Sequence, residues 1–376
     1  MEAKLEVAGR EVIKTASPSP RDRLQLSILD LHCPPIYVST VFFYKADDLS
    51  PDIFSGKLKS SLSETLSRFY PLAGRIEGVS ISCNDEGAVY TEAHNDLILP
   101  HFLRNLTTDS LEGFFPKLAP GDSPGEWPLL SVKVTFFGSG SGVAVCVSVS
   151  HKICDATSLA IFVNDWATTT AMGKSNDMAV NTIEFAETTI FPPPSPHKMF
   201  LQFPSEDSNL NITSIIKRFV FEPSKIAELR HKAASESVPV PTRVEAIMSL
   251  LWKCARRSSR SNLKDADREL EIPEIVARLR KAKEGVNEMI KENLQCNTLS
   301  QSLVSLMDEG DYASPDTDIY IMSSWCRKPF YKVNFGLGFP VWMGYPSSTI
   351  YGNMVYVLLI DSKDGDGVEA WISLPE

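Results

Sequence analysis

The stretch CVSVSHKICDATSLAIFV, Cys146 to Val163, sets a histidine and an aspartate four residues apart, His151 and Asp155. An imidazole titrates at about 6.5, so at neutral pH it can take a proton as a general base. An aspartate four residues on can orient that ring. It can equally open the next helix, because a short side-chain oxygen accepts a free amide of the first turn. The H-x-x-x-D spacing alone leaves both readings open, a catalytic pair or a buried histidine beside a helix cap.

Little else in the sequence competes for chemistry. His94 and His101 sit in an irregular acidic stretch and His197 in a proline-rich one, and no H-x-x-x-H or H-E-x-x-H spacing occurs, so no metal site is expected. There is no G-x-S-x-G elbow, no P-loop and no G-x-G-x-x-G after a strand. Asn334, Gly336 and Gly338 fall in NFGLG, whose two glycines around a leucine signal a turn or a close backbone approach.

The elements around the pair follow from hydrophobic period. SVKVTFF (131–137) and SGVAVCVSVS (141–150) read as strands joined by a Gly/Ser hairpin. In the second, Val143, Val145, Val147 and Val149 share one face, and Ala144, Cys146, Ser148 and Ser150 the other. His151 therefore ends a strand, where the backbone is rigid up to the reactive group and open beyond it. A helix follows with Leu159, Phe162, Val163 and Trp166 on one stripe. Upstream, YVSTVFFYKA (37–46) is β-rich, and 51–70 carries Ile53, Phe54, Leu58, Leu62, Leu66 and Phe69 at helical spacing until Pro71 and Gly74 break it.

Five prolines fall within 191–212, which predicts a crossover without regular structure. Beyond it come a strand at 215–222, a helix from about 224 to 234, and a buried helix over 241–259 with Val244, Ile247, Met248, Leu251 and Trp252 on its apolar face. The remainder turns β-rich, and no repeat of fixed period is visible. The expectation is an N-terminal domain over 1–190, the crossover at 191–212, and a C-terminal domain over 213–376.

The chain has 376 residues, 43% hydrophobic and 22% charged, enough for two cores of ordinary size. A net charge of −10 argues against nucleic acid or an anionic membrane as the main partner. The charged N-terminus lacks the apolar region of a signal peptide, and no long apolar run predicts a membrane span. Seven scattered cysteines without a C-x-x-C spacing fit reduced thiols, so a cytoplasmic location is expected.

Taken together, the motifs resemble one family. SHKICDATSL is similar to the H-x-x-x-D segment of the plant BAHD acyltransferases, which move an acyl group from coenzyme A to an alcohol or amine. FYPLAGR (69–75), TRVEAIMSLLWK (242–253), SSWCRKPFYKVNFGLGFPVW (323–342) and GDGVEAWISL (365–374) resemble its other segments, in family order across nearly the whole chain. Within the family the likeness is to alkaloid O-acetyltransferases of the vinorine synthase type.

The resemblance implies an α/β fold of two similar-sized domains, each a mixed β-sheet with helices, with an active-site channel between them. It implies His151 as general base, Asp155 as an orienting, structural residue, and Ser323 and Trp325 on the oxyanion or acceptor side. Read on its own, Trp325 is equally a core aromatic. The implied substrates are acetyl-CoA or another acyl-CoA and a small hydroxylated acceptor, handled by a monomer with no bound cofactor.

Two departures stand out. The D-F-G-W-G motif reads Asn334-Phe335-Gly336-Leu337-Gly338, a structural motif without its charge or indole. In the family that aspartate pairs with an arginine of an N-L-R segment, and no such segment occurs here. Relatives carry several tens of residues between 254–262 and 265–281, and a further helix beyond Leu374-Pro375-Glu376. Losing both partners of an ion pair is self-consistent, since one alone would be a costly buried charge. The alternative expectation is a degenerate, non-catalytic relative that binds small molecules or a partner acyltransferase. A third is a thioesterase-like hydrolase in which His151 activates water.

Overall fold

The structure, a computed structural model, describes residues 5–117, 126–173, 183–185, 187–193, 214–258, 270–296, 320–346 and 355–375. It divides into two compact units, Met1–Ser208 with Lys328–Thr349, and Asn209–Arg327 with Ile350–Glu376. Residues 328–349, which chain order assigns to the C-terminal half, pack with the first unit. Most of the expected crossover, from 194 onward, lies outside the described residues.

Along the chain the first unit runs β1 (Leu5–Ile13), β2 (Arg23–Gln25), α1 (Ile28–His32), β3 (Tyr37–Lys45), α2 (Pro51–Arg68), β4 (Arg75–Glu77), β5 (Ser80–Ser82), β6 (Ala88–Asn95), α3 (Leu99–Arg104), β7 (Leu130–Phe137), β8 (Gly142–Ser150), α4 (Ala156–Met172) and α5 (Glu187–Ile190). The second supplies β9 (Ser214–Phe221), α6 (Pro223–Lys232), α7 (Arg243–Ser258), α8 (Ile272–Cys296) and β10 (Tyr320–Ser324). The chain then returns to the first unit for β11 (Trp342–Gly344) and to the second for β12 (Val355–Asp361) and β13 (Val368–Pro375).

Six strands of the first unit form one sheet in the order β1-β6-β7-β8-β3-β11. Strand β8 lies inside it, antiparallel to both β7 and β3, and every one of its residues is buried. The valine and small-residue faces are thus both covered, and the alternation separates two interiors. On the small-residue face Ser39 donates to Ser148 Oγ at 2.7 Å, and buried Lys133 donates to the Gly113 carbonyl at 2.6 Å. Burial lowers the Lys133 pKa, and the carbonyl supplies the bond that desolvation would otherwise deny it. Phe43, Phe102, Phe114 and Phe137 gather nearby with ring centroids 5.0–6.2 Å apart. Each such ring taken from water is worth roughly 1.5–3 kcal/mol.

Helix α2 begins with Pro51 in its first turn, where a missing amide costs nothing. Phe54, Leu58, Leu62 and Leu66 are buried along one stripe, while Ile53 is 65% exposed, one position and so about 100° off it. Packing against α2, α4 buries the predicted Leu159, Phe162, Val163 and Trp166, and Trp166 Nε1 donates to Leu58 O at 3.2 Å and Ser61 Oγ at 3.1 Å.

The second unit holds a four-stranded sheet in the order β10-β12-β13-β9. Ile226 of α6 and Ile247 of α7 pack on Val357, Leu359, Val368, Ala370 and Ile372, with Val244, Met248 and Leu251 partly buried around them. Trp252, predicted on that face, is partly exposed and carries the Arg256 guanidinium over its ring at 5.4 Å. Among the described helices none is long and apolar enough to cross a membrane.

The two sheets share a topology that no sequence period reveals. In the first unit β6 runs parallel to β7, β7 antiparallel to β8, and β8 antiparallel to β3. In the second β10 runs parallel to β12, β12 antiparallel to β13, and β13 antiparallel to β9. In each, the outermost of these four strands comes first in the chain and leads into a helix, and the last two form a hairpin. His151 follows the strand that corresponds to β13.

Candidate active site

The strand end that carries His151 is fixed by its neighbours. The His151 amide donates to Ile36 O at 2.8 Å, immediately before β3, and Ser150 donates to Leu129 O at 2.8 Å, immediately before β7. Both flanking strands thus hold the position at which β8 gives way to a turn, closed by Ile153 N to Ser150 O at 3.2 Å. His151 is half-buried, and its Nδ1 is enclosed without a hydrogen-bond partner. The next residue, Lys152, donates to Leu31 O at 2.8 Å, and burial lowers its pKa.

Asp155 is the N-cap of α4. Its Oδ1 accepts from Ser158 N at 2.7 Å, its carbonyl accepts from Leu159 N at 2.9 Å, and it is exposed. It makes no hydrogen bond to His151. The geometry found is that of a cap, which satisfies one of the free amides of the helix.

The segment after Arg327 runs along the same helix. Lys328 Nζ donates to Thr157 Oγ1 at 2.5 Å, and Asn164 Nδ2 donates to Pro329 O at 3.3 Å. Phe335 is 1% exposed, its ring edge-on to Trp166 at 4.8 Å and to Tyr44 at 5.8 Å, and Tyr44 donates to Val333 O at 3.1 Å. Residues 333–335 thereby brace α4 against β3. Asn334 Oδ1 accepts from Gly336 N at 2.9 Å and Gly338 N at 3.0 Å. Gly336 (φ +92°) and Gly338 (φ +81°) occupy backbone conformations that disfavour a Cβ. In this chain an uncharged carboxamide closes the turn.

Ser323 and Trp325 belong to the second unit. Ser323 lies on β10, half-buried, beside Tyr356, whose pKa burial raises and the Ser323 hydroxyl opposes. Trp325 is 7% exposed, and its amide donates to Leu359 O at 2.7 Å, which extends the β10–β12 ladder by one bond. The structure therefore groups His151, Asp155 and the Asn334–Gly338 turn around α4 in one unit, and carries Ser323 and Trp325 in the other. Among the described residues no three His, Cys, Asp or Glu side chains are placed to hold a metal ion.

Polar partners that the sequence reading missed cluster at α7. Thr242 N and Oγ1 donate to Glu245 Oε2 at 2.8 and 2.9 Å, and Thr242 Oγ1 accepts from Glu245 N at 3.2 Å. This reciprocal capping box was visible as the T-x-x-E of TRVE. Arg243, between them, pairs with Asp361, an ion pair between residues 118 apart for which the sequence holds no signal.

The fold is that of the coenzyme A-dependent acyltransferases. The sequence model of the transferase family matches residues 3–267 and 261–376, and the chain belongs to that family, the BAHD acyltransferases. The BAHD acyltransferase BIA1 of Arabidopsis thaliana is 69% identical, covering 100% of this chain and 94% of its own length. That alignment runs to 416 positions, more than the 376 residues here. Vinorine synthase of Rauvolfia serpentina is 30% identical over 100% of this chain and 95% of its own. The crystal structure of vinorine synthase superposes with a TM-score of 0.78 over 99% of this chain and 95% of that one, at 27% identity. F. graminearum TRI101 in complex with coenzyme A and deoxynivalenol shares the fold at a TM-score of 0.69 and 15% identity, over 94% of this chain and 95% of that one.

Proposed function

We propose that this chain transfers an acyl group, acetyl foremost, from acyl-CoA to a hydroxyl of a plant specialised metabolite of the alkaloid type, with His151 as general base. The observation that carries the reading is the placement of His151 at the end of a fully buried inner strand, tied by its amide to Ile36. Membership of the BAHD family supports acyl transfer from coenzyme A; the base, the donor and the acceptor are the proposal's own.

His151 takes the acceptor's proton as the oxygen attacks the thioester carbonyl. A tetrahedral oxyanion forms, and Ser323 and Trp325 are assigned to its side of the site. Collapse breaks the carbon–sulfur bond, and the departing thiolate recovers the proton from His151. Ester and free CoA leave, and the histidine is neutral again. Asp155 contributes by capping α4. The protein acts as a cytoplasmic monomer with no resident cofactor. Acetyl-CoA with a panel of hydroxylated alkaloids should release free thiol, and release no greater than that of His151→Ala would overturn the proposal.

A second reading, a non-catalytic relative that binds small molecules or a partner acyltransferase, is favoured by Asn334 and Leu337 in the altered motif and by the absence of an N-L-R segment. The family match falls into two parts that overlap at 261–267, beside the segment expected to be shortened. Tight binding of CoA in a calorimetric titration would count against this second reading.

A further inference from the structure

We infer that Arg243 and Asp361 are positioning residues for acyl transfer, clamping the turn that carries Trp325. The inference rests on the assignment of Ser323 and Trp325 proposed above, but its geometry stands within the second unit.

Strands β10 and β12 run parallel, and β10 ends at Ser324 beside Leu359, two residues before β12 ends at Asp361. Beyond Ser324 the ladder continues for one bond only, yet each amide of the next three residues has an acceptor. Trp325 N donates to Leu359 O at 2.7 Å, Cys326 N to Ser324 Oγ at 3.3 Å, and Arg327 N to Asp361 Oδ2 at 2.6 Å. Arg327 sits at φ +67°, a conformation that disfavours side chains other than glycine. At the next residue the chain leaves the second unit for the first. The Asp361 carboxylate therefore holds a strained corner at the point of departure.

Arg243 holds Asp361 in turn. Its Nη2 pairs with Asp361 Oδ1, and its Nη1 donates to Gly365 O at 3.0 Å in the β12–β13 connection. Both side chains are only 19% exposed. Arg243 opens α7, whose first turn is fixed by the Thr242–Glu245 capping box. The planar guanidinium bridges helix, connection and carboxylate at once, and a lysine ammonium reproduces that fork poorly. The path runs from α7 through Arg243 and Asp361 to Arg327, and so to an indole two residues back.

A misplacement of the order of 1 Å in a group that stabilises a transition state lowers turnover by about tenfold to a hundredfold without weakening ground-state binding to match. The test compares wild type, Asp361→Ala, Asp361→Asn and Arg243→Lys by hydrogen exchange of the peptide spanning Ser323–Arg327 and by thiol release from acetyl-CoA. Exchange of that peptide should rise at least about tenfold in Asp361→Ala and less in the two conservative variants, with α6 unchanged, since the amide loses its only acceptor. The kcat should fall in the same order, with KM for acetyl-CoA within about twofold. Unchanged exchange in Asp361→Ala overturns the clamp, and looser exchange with unchanged kcat overturns the positioning role. A wild type that releases no thiol overturns the acyl-transfer reading and the catalytic half of this one, while the exchange result still decides the clamp.

Discussion

The Arg280 guanidinium grips both carboxylate oxygens of Glu245, each at 2.6 Å, and so fastens α8 to the first turn of α7. The Arg280 hydrogen bonds, opposed by desolvation and reinforced by Thr242, hold the Glu245 carboxyl down at about 2. A glutamate in the unfolded chain takes its proton near 4.3, at roughly its unperturbed value. The folded state releases that proton more readily, so the stabilisation is complete above this value and is lost as pH falls towards 2. Glu245→Gln should lower stability at pH 7 by about 1–3 kcal/mol. Urea midpoints of the two proteins should converge between pH 4.5 and 2, and a gap that ignores pH would contradict the pairing.

His151→Ala should abolish thiol release while leaving the fold in place. The residue is tied to its surroundings through its amide, which the substitution keeps, and its enclosed Nδ1 has no bond to lose. Circular dichroism and the thermal midpoint should match wild type within a few degrees. A variant that keeps its turnover would remove His151 from the mechanism.

Asp155 offers a separation of roles. Asp155→Ala should cost about 1 kcal/mol through the lost cap, whereas Asp155→Ser, which can still accept the Ser158 amide, should recover most of it. If capping is its whole contribution, activity will follow stability across the two variants. A stable Asp155→Ser protein with no turnover would assign the carboxylate a part in the reaction.

Asn334→Ala removes the acceptor of two amides, worth about 0.5–1.5 kcal/mol each. Because Phe335 braces Trp166 and Tyr44 next to that turn, the loss should loosen α4 as well, seen as faster hydrogen exchange over Ala156–Met172. Asn334→Asp keeps an acceptor for both amides and should remain near wild type. Equal damage from both substitutions would mean that accepting these two amides is not what the carboxamide contributes.

How far the sequence foretold this structure depends on the range of the interaction concerned. The strand before His151, the helix after it and the hairpin between β7 and β8 are local patterns, and each was readable from period and turn residues. The same holds for the T-x-x-E cap of α7, although it went unread. Arg243 with Asp361 and Phe335 against Trp166 join distant parts of the chain, and no local pattern encodes such partners. Ile53 and Trp252 show the limit of periodicity, since each fits the apolar stripe on paper and sits at its rim. The shared four-strand topology of the two units is invisible for a similar reason, because pairing geometry survives where residue period does not.

Strand β11 has one more consequence. It completes the first sheet by pairing Trp342–Gly344 with Val41–Phe43, and Thr40 bonds to Gly344 across 304 residues of chain. A ribosome adding about 5–20 residues per second needs on the order of tens of seconds to make that distance. Throughout that interval the nascent first unit presents the outer edge of β3, with Val41, Phe42 and Phe43 in it, unpaired. An open apolar strand edge is a template for pairing with other chains. The growing polypeptide should therefore need a chaperone, or slow passage, until Trp342–Gly344 emerge.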